Sequence, residues 1–416
     1  MSSEWKSISL GECLQRVVDN RGKTPPLADT VTPYGVIEIN AIVGTDKSPR
    51  FDAIRKYVSQ ETYDSWFRAG HPASGDVLFS TVGSIAEVVL YSGGNGCIAQ
   101  NIVGLRPNAE VVYPDYLYYV LINPIIQSQL RTLDISSVQP SIKVPHLLAT
   151  KIQVPGLSQQ KKVAAILTAL DDRITLLRET NTTLEAIAQA LFKSWFIDFD
   201  PVRAKAEGLE LAGMDAATAG LFPNSFEESE LGLVPSGWKV GKVEDLMELP
   251  YGKALKATDR MDGPVPVYGS GGITGCHNES LVNGPSVIVG RKGTVGSLYW
   301  EDRPFFPIDT VFYVRTDNPL TYCYYLLQTL GLKDMNTDGA VPGLNRNNAY
   351  RLPVVVATTS ILESFDEIVS SLRNKMFSNS QHTQTLIQLR DTLLPRLISG
   401  QLRLPEDEAM VEEICA

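Results

Sequence analysis

Arg291 and Lys292 sit on a glycine-flanked turn, VGRKGT, directly after a strand-like run, and Asn345 and Arg346 lie in GLNRNN just before another. Arginine presents a planar fork to N7 and O6 of guanine, and asparagine pairs with the edge of adenine. These types together suit base reading in a major groove. Lys253 and Lys256, in YGKALKA, would serve phosphates instead. An earlier part of the chain offers a matching set: Arg21 and Lys23 in NRGKTP, Ser80 and Thr81, Gln100 and Asn101, Gln139, and Lys143. Taken singly, a solvated turn explains each. Their recurrence at corresponding places makes them a candidate DNA-contacting set.

Side-chain sets for catalysis do not emerge. There is no Walker A string and no GxSxG. His71, His146, His277 and His382 have no neighbours at metal-ligand spacing, and those in loops read as surface histidines. No catalytic or metal-binding residue is assigned. Asp171-Asp172 reads as a solvated or i,i+4-paired helix face. The string from Gly269 to Gly275, GSGGITG, resembles a dinucleotide fingerprint, but loop and strand follow it where a helix should. Turns at positive φ are its ordinary explanation. Cys13, Cys97, Cys276, Cys323 and Cys415 are scattered, odd in number and without CxxC, which disfavours a disulfide framework or a zinc site and fits a reducing cytoplasm.

Such loops need a frame. Residues 158–199 contain no Gly and no Pro. Val163, Leu167, Leu170, Ile174, Leu177, Leu184, Leu191 and Trp195 fall on a 4-3 spacing, with Asn181 and Ala188 on the same seam. At 1.5 Å per residue the helix spans roughly 60 Å. The pattern returns in 360–399. Phe365, Val369, Leu372, Leu386, Leu393 and Leu397 each lie a constant distance downstream of a position in the first seam, with Met376, Asn379, Thr383 and Arg390 between them. Pro395 should kink the end of this helix. The economical arrangement pairs the two helices antiparallel within one chain; separate bundle helices, or coils that recruit other chains, are the alternatives. A polar seam residue such as Asn181 can fix register.

The globular parts repeat too. WKVGKVEDL echoes WKSISLGECL, GPSVIVGRKGTVGSLYW matches GDVLFSTVGSIAEVVLY, TYCYYLLQTL matches DYLYYVLINP, and Pro342 falls opposite Pro140. The expected fold class is α+β: two duplicated α/β globular domains separated by two long antiparallel coiled-coil helices. The limits read from the sequence are 1–157 and 238–358 for the domains, 158–199 and 359–404 for the helices, 200–237 for a linker, and 405–416 for an acidic tail.

The net charge of −10 counts mildly against a free-standing nucleic-acid binder, although much of the acid lies in EGLELAGMD, SFEESELG and PEDEAMVEE, outside the domains. No apolar run is long enough to span a bilayer, and MSSEWKSISLGE lacks a signal pattern. A cytoplasmic location without a membrane partner is expected.

Several strings together resemble specificity subunits of type I restriction-modification systems: YGSGGITGCHN, VIVGRKGTVGSLYW, PIDTVFYV, GLNRNNAYRLPV, LRDTLLPRLISGQLRL, and QQKKVAAILTALDDRI followed by LEAIAQALFKSWFIDFDPVRAKAEG. The resemblance covers nearly the whole chain. It implies a DNA-reading subunit that is not itself an enzyme. Each globular domain would be a target recognition domain for one half of a split, asymmetric site in double-stranded DNA. The helices would set the spacer and dock two methyltransferase subunits, which bring S-adenosylmethionine and modify adenine. Motor-nuclease subunits using ATP and Mg2+ would complete the complex, and this chain would hold no cofactor. The apolar face around Leu191, Phe192, Trp195 and Phe196 is expected to stand exposed without the methyltransferase. The alternative is a non-catalytic coiled-coil scaffold whose domains bind protein.

Overall fold

Each stretch with the heptad seam folds as one 40-residue helix, Leu157–Phe196 and Thr359–Ile398, in a computed structural model that describes residues 5–22, 24–44, 46–134, 138–209, 213–335 and 343–404. The first helix stops short of 199 because Phe199 takes a left-handed conformation (φ 55°) and Pro201 opens the next helix, Asp200–Ala206. The second stops short of 404 at Gly400, whose φ of 74° is the left-handed glycine that commonly ends helices. Pro395 lies inside the second helix, which continues to Ile398. Along the seams Val163, Leu167, Ile174, Leu177, Trp195, Phe365, Val369 and Leu397 are buried. Leu170, Leu184, Leu191, Leu372, Leu386 and Leu393 are half-buried.

The chain forms two compact units, Met1–Leu177 with His382–Ala416, and Arg178–Gln381, so each unit holds part of both long helices. Within the first unit Asp171 meets Arg390 at 2.9 Å. Within the second, Asn181 meets Asn379 at 2.8 Å and Glu185 meets Arg373 at 3.3 Å. Ascending numbers on one helix match descending numbers on the other, so the pairing is antiparallel.

In the first unit, Leu14–Val18, Ile102–Pro107, Val77–Ser80 and Val88–Leu90 make an antiparallel sheet in that order. Strand alternation divides its side chains between two cores. Val77, Phe79, Val103 and Leu105 pack with Tyr116, Leu117 and Val120 of helix Pro114–Ile122, with Val163 and Leu167, and with Leu394 and Leu397. Val18, Leu78, Val89 and Ile102 join Ile37, Ile42 and Tyr91 in a smaller core. Each such side chain contributes about 1.5–3 kcal/mol on burial. Lys6–Ser9 and Lys151–Val154 pair antiparallel at the junction with the first long helix, and the Tyr116 hydroxyl donates to the Gln153 carbonyl at 3.0 Å.

The second unit repeats these parts. Lys239–Lys242 pairs antiparallel with Pro353–Val356, and Tyr322, on helix Leu320–Thr329, donates to the Val355 carbonyl at 3.1 Å. Leu298–Glu301, Ser286–Gly290 and Val311–Tyr313 form one antiparallel sheet, and Gly272–His277, Val265–Gly269 and Phe306–Pro307 a second, mixed one. Two expectations are corrected here. Phe192, Trp195 and Phe196 are not an open face: they are 2–5% exposed, with Phe196 at 5.1 Å and Phe192 at 5.8 Å from the Phe365 ring in the main core. Residues 200–237 are not a plain connector. They carry helices Asp200–Ala206 and Ala216–Leu221 and a hairpin, Phe226–Ser229 with Gly232–Pro235. Val202 and Phe222 join the main core. Few apolar anchors in a Gly- and acid-rich stretch were enough to fold it. Among the described residues no helix is long and apolar enough to cross a membrane.

Candidate nucleic-acid interface

The two units build their candidate loops with the same backbone bonds. After strand Val77–Ser80, Ser80 N donates to Glu87 O at 3.0 Å and Ala86 N to Ser80 O at 3.0 Å. After Ser286–Gly290, Gly290 N donates to Ser297 O at 2.7 Å and Gly296 N to Gly290 O at 2.8 Å. Ala86 and Gly296 both take positive φ, 63° and 68°. The next residue ties in two further segments. Thr81 N donates to Asn101 O and Ile142 N to Thr81 O, both at 2.8 Å; Arg291 N donates to Thr310 O at 2.9 Å and Leu344 N to Arg291 O at 2.8 Å. One backbone frame thus gathers three distant segments in each unit and leaves the side chains free to differ.

In the first unit Arg21, Gln100, Asn101 and Gln139 line one cleft of about 660 Å³. Glu38 and Lys56, which sequence reasoning passed over, line it too and pair at 2.8 Å. Arg21 is held by Asp19 at 2.6 Å. Burial pushes the Asp19 carboxyl up, but the Arg21 hydrogen bonds outweigh it and hold the group below the usual carboxylate range. Among the described residues the cleft's two cations, Arg21 and Lys56, are each paired with a carboxylate, and the amides of Gln100, Asn101 and Gln139 are its distinctive chemistry. The Asn101 side-chain oxygen is buried without a hydrogen-bond partner. Ser80 and Thr81 are corrected as candidates: both are fully buried. The Ser80 hydroxyl donates to Ser84 O at 2.6 Å and accepts from Glu87 N at 2.8 Å, and the Thr81 hydroxyl donates to Asn101 O at 3.2 Å. They shape the turn and do not face a ligand. Lys143 is exposed just before helix Val144–Ala149 and outside the cleft lining. Lys23 lies outside the described residues.

In the second unit Arg291, Lys292, Asn345 and Arg346 line one hollow of about 240 Å³, together with Tyr251. The guanidinium carbons of Arg291 and Arg346 stand 4.9 and 4.7 Å from the Tyr251 ring centroid. Arg291 also donates to Asp309 O at 3.0 Å. The Asn345 side-chain oxygen accepts from Asn347 N at 2.9 Å, which leaves its NH2 group for a ligand. Lys253 and Lys256 are exposed nearby in sequence but do not line the hollow. Gly252 explains how Tyr251 is aimed. A Cβ at Gly252 would stand 2.1 Å from Ile308 O, so only glycine lets this segment lie against the Pro307–Ile308 backbone. Tyr251 was missed in the sequence because it belongs to no motif; the glycine beside it in YGK was the available signal.

The other candidates are structural. The glycines at 269–275 lie in the hairpin of Val265–Gly269 with Gly272–His277, and Gly272 turns it at φ 102°. His277 is 5% exposed and accepts from Met261 N at 3.1 Å, which corrects its reading as a surface histidine. His71 stacks on Tyr63 at 3.6 Å.

The comparisons with known proteins agree with this duplicated architecture. The family model for the type I restriction modification DNA specificity domain matches residues 2–186 and again 235–350. The chain is 27% identical over 401 residues to the type I restriction enzyme HindI specificity subunit of Haemophilus influenzae, covering 79% of this chain and 86% of that one. It is 25% identical over 321 residues to the MjaIX specificity subunit of Methanocaldococcus jannaschii, covering 71% and 70%. In fold alone it is similar to the crystal structure of a type I restriction-modification S subunit from M. genitalium, with a TM-score of 0.61 and 17% identity over 95% of this chain and 96% of that one. The chain belongs to the type I restriction modification DNA specificity domain family.

Proposed function

We propose that this chain is the sequence-specificity subunit of a type I restriction-modification complex, and that each globular domain reads one half of a split site in double-stranded DNA. The observation that carries this reading is the shared backbone frame with two different side-chain faces: amides with neutralised cations in one hollow, arginines on a tyrosine in the other. A scaffold has no need for two such faces, whereas an asymmetric site does. Lysines and hydroxyls hold phosphates in this scheme and specify nothing; arginine, asparagine and glutamine specify bases.

In the same scheme the chain itself carries out no chemistry and binds no cofactor. Two methyltransferase subunits bring S-adenosylmethionine, and motor-nuclease subunits bring ATP and Mg2+, in the cytoplasm. The seam residues are used up inside each unit, so docking falls to the outward side of the helices. Ile187 and Leu389 occupy corresponding positions of the two repeats and are 49% and 45% exposed, which suits one apolar contact per methyltransferase.

The test is co-expression with the methyltransferase encoded beside this chain, followed by mapping of methylated adenines in host DNA. A bipartite motif with a fixed spacer, lost when this chain is deleted, is the expected result. A stable complex that leaves the DNA unmethylated, or methylation unaffected by the deletion, would refute the reading.

A further inference from the structure

Arg346 differs from the ion-paired arginines of the second unit. Arg303, Arg315 and Arg373 each pair with a carboxylate, at 3.1–3.3 Å. The Arg346 guanidinium has no ion pair and no hydrogen bond to a described residue, and its Nε is buried and unpartnered. Instead it stands over two aromatic rings, 4.7 Å from Tyr251 and 5.6 Å from Tyr350. Both rings are fixed from behind. The Tyr350 hydroxyl accepts from Leu249 N at 2.8 Å, and the Tyr251 ring packs on Phe312 at 5.0 Å. Arg291 approaches the same Tyr251 ring, and Lys292 lies beside it on the turn. Among the described residues this hollow gathers three cations and no carboxylate, which opposes folding through like-charge repulsion. A ligand that brings acceptors and negative charge reverses that balance.

We infer that Arg346 reads a guanine in the half-site of the second domain, and that Tyr251 is the positioning residue that holds its fork for this contact. The inference rests on the proposed function and narrows it to one residue and one base. Stacking on an aromatic face leaves the guanidinium edge free, and that edge matches N7 and O6 of guanine in a bidentate contact. Arg291 has one NH group committed to Asp309 O, so it serves the neighbouring phosphate or base with fewer donors. The first domain has Thr81 and Val144 at the places of Arg291 and Arg346, both buried, so its half-site is read by other means.

The experiment maps methylated sites in cells carrying the complete complex with wild-type chain, R346K, Y251F or Y251L. R346K keeps the charge and loses the planar fork. It is expected to relax preference for guanine at a single position of one half-site, by about 5- to 150-fold, the value of one bidentate pair. Y251L is expected to relax the same position less strongly, and Y251F to leave it unchanged because the ring remains. Unaltered guanine preference in R346K, equal loss at all positions of both half-sites, or failure of R346K to assemble with its partners would each overturn the inference. A wild-type complex without any bipartite motif would instead overturn the proposed function on which it rests.

Discussion

Tyr119 donates its hydroxyl to Asp171 across 2.7 Å, and Asp171 holds Arg390 at 2.9 Å on the opposite helix. The second unit repeats the device with its polarity inverted. Tyr325, the counterpart of Tyr119, donates to Glu185 at 3.2 Å, and Glu185 holds Arg373 at 3.3 Å. In the first unit the acid sits on the helix that follows the domain; in the second the base does. Each domain is thus latched to the helix pair by a tyrosine on a cross-helix ion pair. Burial, and then the neighbouring Asp171, push the Tyr119 hydroxyl above its ordinary pKa, so it stays a donor.

Tyr119→Phe removes that donor and leaves a carboxylate with only 8% exposure short of one bond. Stability is expected to fall by about 1–3 kcal/mol. Thermal unfolding of the chain measures it. Loss of less than a few tenths would mean that Arg390 alone satisfies Asp171.

Asn181 and Asn379 form a polar layer in the coil. Asn379 donates to Asn181 at 2.8 Å, and Asn181 donates to Met376 O at 3.0 Å and Ser380 Oγ at 3.1 Å. Asn379→Leu alone orphans the Asn181 oxygen and is expected to cost about 1–3 kcal/mol, whereas the double Leu variant is expected to be neutral or stabilising. A double-mutant cycle in urea reads the coupling. Additive single effects would show that the two amides do not act as a pair.

Removing residues 178–184 together with 376–382 deletes one heptad from each helix, about 10 Å of coil. On the proposed function the spacer between half-sites is expected to shorten by about three base pairs, since duplex DNA rises about 3.4 Å per pair. Methylated-site mapping of the assembled variant reports it. An unchanged spacer would reject the helices as the ruler.

Glu301 is buried against Tyr268 Oη at 2.9 Å and Arg303 Nε at 3.1 Å. Burial pushes its carboxyl up, and the bonds from Arg303 and Tyr268 more than offset that, so the folded-state pKa lies below the ordinary value. A lowered carboxylate stabilises above its unfolded pKa, about 4.3, and that contribution vanishes as pH falls through the folded value. Wild-type stability is expected to drop across this acid window. Glu301→Gln is expected to be less stable at pH 7 and to lack that part of the drop. Parallel pH curves for the two proteins would assign the acid sensitivity elsewhere.

The helices were legible because a 4-3 seam needs only local spacing: every seam residue from Val163 to Leu397 is at least half-buried. The candidate loops were legible as a set because the duplication marks corresponding places. Their internal sorting was not. Thr81 and Arg291 occupy matching places, yet one side chain is consumed by Asn101 O while the other reaches Tyr251. That difference depends on what approaches from distant segments. The hairpin at Phe226–Pro235 escaped notice for a related reason. Its strands are four residues long and the first carries two exposed glutamates, so alternation has too little length to register.

The first unit draws on both ends of the chain, for its core takes Leu394, Leu397 and Ile398 as well as Val163 and Leu167. During synthesis the ribosome delivers the first domain early, but the side chains that close its core arrive only after the whole of the second unit has emerged. The second unit is one continuous segment, 178–381, and can close as soon as it is made. The later half of the protein is therefore the first able to finish folding, and the earlier half must wait with an apolar surface uncovered.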